Sequence, residues 1–153
     1  METDENKGPM KIEKVTIYID GASRSNPGPS SIAVIVKHLD PKKSMVYSDK
    51  IGKHTNNDAE FLALKKAIEL CHDHGWEDPI IFTDSLLVAN VSIGRWRLRS
   101  PSLQKIVEEI AHCMVDTKKD LGRFDPIIKW VPRTDPMIME ADRRCNEALD
   151  RII

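Results

Sequence analysis

Four carboxylates stand where the surrounding pattern calls for apolar residues or plain turn residues. Asp20 and Asp84 each follow a short β-branched, apolar run, residues 15–19 and 79–83. In open α/β sheets the crevice beyond the carboxyl ends of neighbouring strands is where ligands bind. Glu60 lies in a segment with helical period. On a wheel of about 100° per residue it falls between Phe61, Leu64, Ile68 and Cys71 on one side and Ala63, Ala67 and Leu70 on the other. Asp142 falls likewise on the apolar stripe of a last helix, with Ile138, Cys145, Leu149 and Ile153. A carboxylate on such a stripe costs several kcal/mol in desolvation unless a cation meets it, and neither stripe carries a lysine or arginine beside its acid. One such acid is ordinarily a helix cap or a rim residue. Four acids that converge on one crevice would repel and raise one another's pKa, and a divalent cation relieves that repulsion. With no His or Cys beside them, an all-oxygen set selects a hard ion, Mg²⁺, with Mn²⁺ as a substitute.

The elements that must carry these acids follow from the same pattern. Residues 1–13 hold four acids, two lysines, a glycine and a proline with no apolar period, and read as a disordered tail ahead of a domain at 14–153. Strand-like runs cover 15–19, 32–36 and 44–51, with a turn cluster at 20–29 between the first two, as in an antiparallel meander. A helix is expected over 55–74, with cap candidates Thr55, Asn56, Asn57 and Asp58 at its start and Gly75 at its end. The run 79–83 is too short for a helix and is reached through a helical crossover, so it reads as a buried parallel strand. Helices at 85–93 and 102–116, a strand at 127–131 and a helix at 139–152 complete the pattern. It describes an α/β domain whose mixed sheet is covered by helices.

The composition narrows the partners. With 23 Lys+Arg against 24 Asp+Glu the net charge of −1 excludes holding a polyanion by bulk positive charge, so a nucleic acid must be gripped by local patches. Outside the tail and the four acids, 21 basic residues face 16 acidic ones, a surplus of +5. Arg95, Trp96 and Arg97, inside an acid-free run at 85–107, are suited to phosphates and a stacked sugar or base. No apolar run reaches the roughly 18 residues of a membrane span, and the acidic first residues are unlike a signal peptide. Three separated cysteines, Cys71, Cys113 and Cys145, give neither a disulfide framework nor a thiolate metal site. A cytoplasmic monomer is expected. The five histidines show no ligand spacing and are expected at the surface.

In order and spacing, Ile19-Asp20-Gly21-Ala22-Ser23-Arg24-Ser25-Asn26-Pro27-Gly28-Pro29, Thr55-Asn56-Asn57-Asp58-Ala59-Glu60, Thr83-Asp84-Ser85 and Glu140-Ala141-Asp142 resemble the signature segments of type 1 ribonuclease H. The resemblance covers about 15–152. It implies the ribonuclease H-like fold, a five-stranded mixed sheet flanked by helices. It further implies that Asp20, Glu60, Asp84 and Asp142 bind two Mg²⁺ ions and hydrolyse the RNA strand of an RNA/DNA hybrid, leaving 5′-phosphate and 3′-hydroxyl ends. Gly21, Ser23, Asn26, Asn56 and Asn57 match substrate-binding positions, with Asn26 and Asn57 reaching the minor groove, where the 2′-hydroxyl separates RNA from DNA. Thr55 matches a residue that holds a DNA-strand phosphate.

The sequence also departs from the family's pattern. Ser30 and Ser31 follow Pro29 where small, glycine-containing residues are usual, so the second strand is expected to pack differently. The loop before Asp142 lacks the frequent histidine and reads Val-Pro-Arg, which gives Arg133 an electrostatic role at the substrate. Only 57 residues separate Asp84 from Asp142, too few for the basic handle of some members. Two other readings therefore stay open on sequence. One is a catalytically weak or inactive nucleic-acid-binding module on the same scaffold, and the other is a nuclease that prefers double-stranded RNA.

Overall fold

The computed structural model describes residues 14–92 and 98–151. The expected tail at 1–13, the Arg95-Trp96-Arg97 segment and the last two residues lie outside them. The described chain runs β1 (Val15–Ser23), β2 (Gly28–His38), a 3-10 turn (Pro41–Lys43), β3 (Met45–His54), α1 (Asn56–His74), β4 (Ile80–Thr83), α2 (Leu86–Ser92), α3 (Pro101–Leu121), β5 (Ile127–Trp130) and α4 (Pro136–Asp150).

The strands form one five-stranded sheet in the order β3-β2-β1-β4-β5. The first three strands pair antiparallel, as short meander connections allow, and β4 and β5 run parallel to β1. Alternation along β1 and β2 splits their side chains between two faces. Ile17, Ile19, Val34 and Val36 are buried on the face shared with Phe61, Leu64 and Ile68 of α1 and with Leu103, Ile106 and Ile110 of α3. Ala33 and Ile35 point the other way, onto α4, where Ala141 and Cys145 meet them with Tyr18 and Met137 at the edge. The small residues of α4 bring its backbone close to the sheet.

Thr55 caps α1 with its hydroxyl, which accepts from the Asp58 amide, and Gly75 closes it in the left-handed conformation at φ 77°. Several expected boundaries shift. β1 continues through Ser23, because Asp20 to Ser23 pair with Ala33 to Ser30 of β2, which leaves only 24–27 for the turn. α3 runs on to Leu121, past the last apolar period, and ends where Gly122 supplies the left-handed cap. α4 starts at Pro136 rather than 139, because Asp135 caps it by accepting from the Met137 and Ile138 amides and proline suits the first helical turn. β3 extends to His54.

Candidate active site

Three of the four acids converge. Asp20, Glu60 and Asp84 each present a carboxylate oxygen within 4.8 Å of the others, from β1, the N-terminal part of α1 and the residue after β4. The β1–β4 ladder spans only Thr16–Tyr18 against Ile80–Phe82, so Asp20 and Asp84 both project beyond the last parallel pairs although β1 itself continues. These acids and Asp142 line one pocket of about 600 Å³ together with Gly21, Ser23, Asn56, Asn57 and Arg133. Asp142 corrects the sequence reading: it is exposed at the pocket mouth and not buried on the α4 stripe, which is formed by Ile138, Ala141, Cys145 and Ala148. Its angular position was right, but that stripe opens onto the pocket at the helix's first turns.

The electrostatics follow from crowding. Burial pushes the Asp20 carboxyl up to about 8, the Asp84 and Asp142 charges add to that effect, and the Gly21 amide opposes it. Burial likewise raises Glu60 well above the usual carboxylate range, reinforced by the Asp20 and Asp84 charges. The Gly21 amide donates to Glu60 Oε1 at 2.9 Å. That bond requires β1 to approach α1 so closely that a Cβ on Gly21 would sit 2.3 Å from the Ala59 carbonyl carbon. Asp84 Oδ1 is buried with no hydrogen-bond partner among the described residues. Its Oδ2 lies 3.6 Å from Nε of Arg133, a side chain that is 92% exposed. Among the described residues Arg133 is the one basic side chain lining the pocket. An all-oxygen cluster with raised pKa values and an unpartnered buried oxygen fits a hard divalent cation.

A hydrogen-bonded rim stands beside the acids. The Ser23 amide donates to Asn56 Oδ1 at 3.0 Å, and the Asn56 amide donates to Asn26 Oδ1 at 3.0 Å. Ser23 Oγ donates to the His54 carbonyl at 2.9 Å. Both carboxamide oxygens are thus consumed internally, leaving the amide N–H groups of Asn26 and Asn56 to face outward. Thr55 Oγ1 accepts from the Asp58 amide at 3.0 Å, so Thr55 is a helix cap whose hydroxyl hydrogen stays available. Asn57 is exposed on the pocket wall.

In the second strand the pairing with β3 shifts register between Ser30 and Ser31, both fully buried or nearly so. Ser30 Oγ donates to the Gly28 and His54 carbonyls at 2.8 and 3.1 Å, and Ser31 Oγ donates to the Cys145 carbonyl at 2.7 Å. Not all histidines are at the surface as expected: His38, His54 and His72 are half-buried. Sequence reasoning missed Leu86, Leu87, Ile138 and Met139, which form an apolar wall of the pocket; their only signal was their position two to three residues after Asp84 or one turn before Asp142. It also missed Trp130, whose indole N–H donates to the Asp84 carbonyl at 3.1 Å.

Known proteins resemble this chain in sequence and fold. The RNase H family profile matches residues 12–131. Ribonuclease HI of Halobacterium salinarum is 36% identical over 143 residues, covering 93% of this chain and 67% of that protein. The chain spans only 36% of the longer mycobacterial relatives it also matches, at 33% identity. Among solved structures, RNase H1 from Halobacterium salinarum superposes with a TM-score of 0.76 at 35% identity, covering 90% of this chain and 98% of that one. LC11-RNase H1, from compost, solved in complex with an RNA/DNA hybrid, superposes with a TM-score of 0.75 at 30% identity, covering 89% and 96%. With the fold, the strand-end acids and these likenesses in agreement, the chain belongs to the RNase H family.

Proposed function

We propose that the protein is an endonuclease that hydrolyses the RNA strand of RNA/DNA hybrids with two Mg²⁺ ions, leaving 5′-phosphate and 3′-hydroxyl ends. The observation that carries this reading is the convergence of Asp20, Glu60 and Asp84 within 4.8 Å, with Asp142 at the mouth of the same pocket. When bound, the metal supplies charge that makes water acidic enough to attack near neutral pH and that stabilises the leaving oxygen of an in-line displacement.

The chain's own residues do the rest. Asp20, Glu60, Asp84 and Asp142 supply the oxygen ligands. The Gly21 amide fixes which Glu60 oxygen turns away from the pocket, because that oxygen is already accepting a bond at 2.9 Å. Asn26, Asn56 and Asn57 present N–H donors to minor-groove acceptors, among them a ribose 2′-oxygen. Thr55 offers its hydroxyl hydrogen to a phosphate. Arg133 holds a positive charge at the Asp84 side, where the scissile phosphate enters. Arg95, Trp96 and Arg97, outside the described residues, are assigned to the second strand by their chemistry alone. The protein acts as a monomer in the cytoplasm, in keeping with three free cysteines.

One gel assay tests the assignment. Labelled RNA/DNA hybrid, duplex RNA and duplex DNA are incubated with Mg²⁺ or with EDTA. Multiple-turnover cleavage of the RNA strand of the hybrid with Mg²⁺ alone is expected. Faster cleavage of duplex RNA would reassign the substrate, and hybrid binding without cleavage would make the protein a binding module.

A further inference from the structure

We propose that Ser31 and Cys145 are positioning residues: they clamp α4 onto β1 and β2 and thereby set where Asp142 stands relative to Asp20. The inference rests on the metal-binding reading above. Ser31 and Cys145 are both fully buried. The Ser31 hydroxyl donates to the Cys145 carbonyl at 2.7 Å. The Cys145 thiol donates in the opposite direction, to the Asp20 carbonyl at 3.5 Å, with the Ser31 carbonyl 4.0 Å from the same sulfur. One bond therefore ends on the backbone of Asp20 itself. The other ends three residues beyond Asp142, about one helical turn along α4.

Two of the other acids have a partner at the carboxylate. Glu60 accepts the Gly21 amide, and Asp84 has Arg133 beside it. Asp142 is exposed, and among the described residues its carboxylate meets, besides its acidic neighbours, the Asn146 side chain at 3.5 Å. The placement of that carboxylate is then the placement of the α4 backbone. Ala141, Ala148 and Ile138 bury α4 against the sheet, but apolar contact is non-directional and small side chains resist sliding weakly. Arg24 bonds to the Asn146 carbonyl and to Asp150 at the far end of the helix through exposed contacts that hold little. The two buried bonds are the directional ones and lie in the layer under the pocket.

A buried serine must bond somewhere, and if that is all Ser31 does, its removal lowers stability and leaves the metal untouched. The two cases separate in a calorimetric titration of the full chain with Mn²⁺, run beside thermal melts. Asp142→Asn sets the scale for complete loss of that ligand. Ser31→Ala and Cys145→Ala are expected to weaken Mn²⁺ binding in the same direction, by up to roughly tenfold, the size of effect seen when the support of a metal ligand is removed. Cys145→Ser keeps a donor and recovers most of the loss. Ile35→Val, in the same buried cluster but outside both bonds, lowers the melting temperature and leaves Mn²⁺ affinity unchanged.

Wild-type Mn²⁺ affinity in Ser31→Ala and Cys145→Ala overturns the clamp, as does a Cys145→Ser variant no better than Cys145→Ala. Because the readout is Mn²⁺ binding, a wild-type protein that binds Mn²⁺ and cleaves no hybrid overturns the substrate assignment while the clamp is still decided by the variants. A wild-type protein that binds no Mn²⁺ at millimolar concentration overturns both.

Discussion

Two sets of acids on α4 and its surroundings have opposite fates. On the outer face, Glu140 sits between Arg143 and Arg144, at 2.6 and 2.9 Å, and these guanidinium groups hold its carboxyl down to about 2. Two residues on, on the pocket side, Asp142 joins Asp20, Glu60 and Asp84, where Asp20 is driven up to about 8. All are carboxylates, and Glu140 and Asp142 share one helix. The difference lies in what the fold places opposite them: two arginines in water in one case, other acids in a half-closed crevice in the other. A pocket whose clustered acids are faced, among the described residues, by one exposed arginine spends folding stability on a charge that a metal can use, whereas the outer ladder is a solvated surface that does little.

The strongest way to break this comparison is Asp20→Asn. It should lower hybrid cleavage on the order of a thousandfold and, above about pH 8 where the Asp20 carboxyl is ionised, raise the melting temperature of the metal-free protein, because one repelling charge is gone. Gel kinetics and melts in EDTA check both; near-wild-type activity would place the chemistry elsewhere. Gly21→Ala comes next. Its Cβ would fall 2.3 Å from backbone atoms of α1, so β1 and α1 must part, with a loss of about 2–3 kcal/mol in urea unfolding and weaker Mg²⁺ dependence of any remaining activity.

The pH dependence sharpens the same point. Asp20 titrates near 8 when folded against 3.8 in the ordinary case, so between those values the folded state keeps a proton that the unfolded chain has lost. Stability of the metal-free protein therefore falls as pH rises from about 4 to about 8, and a divalent cation held by the deprotonated cluster, as proposed, should restore it at the alkaline end. Urea unfolding in EDTA at pH 5 and pH 8 should show the drop, and equal midpoints would contradict it. The smallest effect belongs to the outer ladder: Glu140→Gln should leave cleavage within about twofold in the gel assay, since exposed pairs hold little.

Much of this was legible in the sequence because an acid on an apolar stripe contradicts its surroundings. Glu60 was found that way, and the placement of Asp20 and Asp84 after apolar runs pointed to the strand ends. What a wheel does not give is depth along the axis, so Asp142 was placed on the buried stripe and not at the mouth of the pocket. The overrun of β1 through Gly21, Ala22 and Ser23 was hidden because these residues favour turns in isolation, and pairing with β2 overrides that preference. Ser31 shares the α4 face with Ala33 and Ile35 by alternation along β2, but it carried no signal that its hydroxyl would bond Cys145, since that partner is supplied only when α4 docks on the sheet. The start of α4 was readable in retrospect from Asp135-Pro136, a cap followed by a residue pre-set for a first turn.

Trp130 brings the site within reach of an optical measurement. Its ring is 47% exposed and its indole N–H rests on the carbonyl of Asp84, whereas Trp76 is 2% exposed in the core. Emission from Trp130 is therefore sensitive to solvent and to the charge state of the residue it touches, while Trp76 gives a signal that added ions do not reach. Loading the pocket can be followed by intrinsic fluorescence, with Trp130→Phe as the blank and no label attached to either the protein or a nucleic acid.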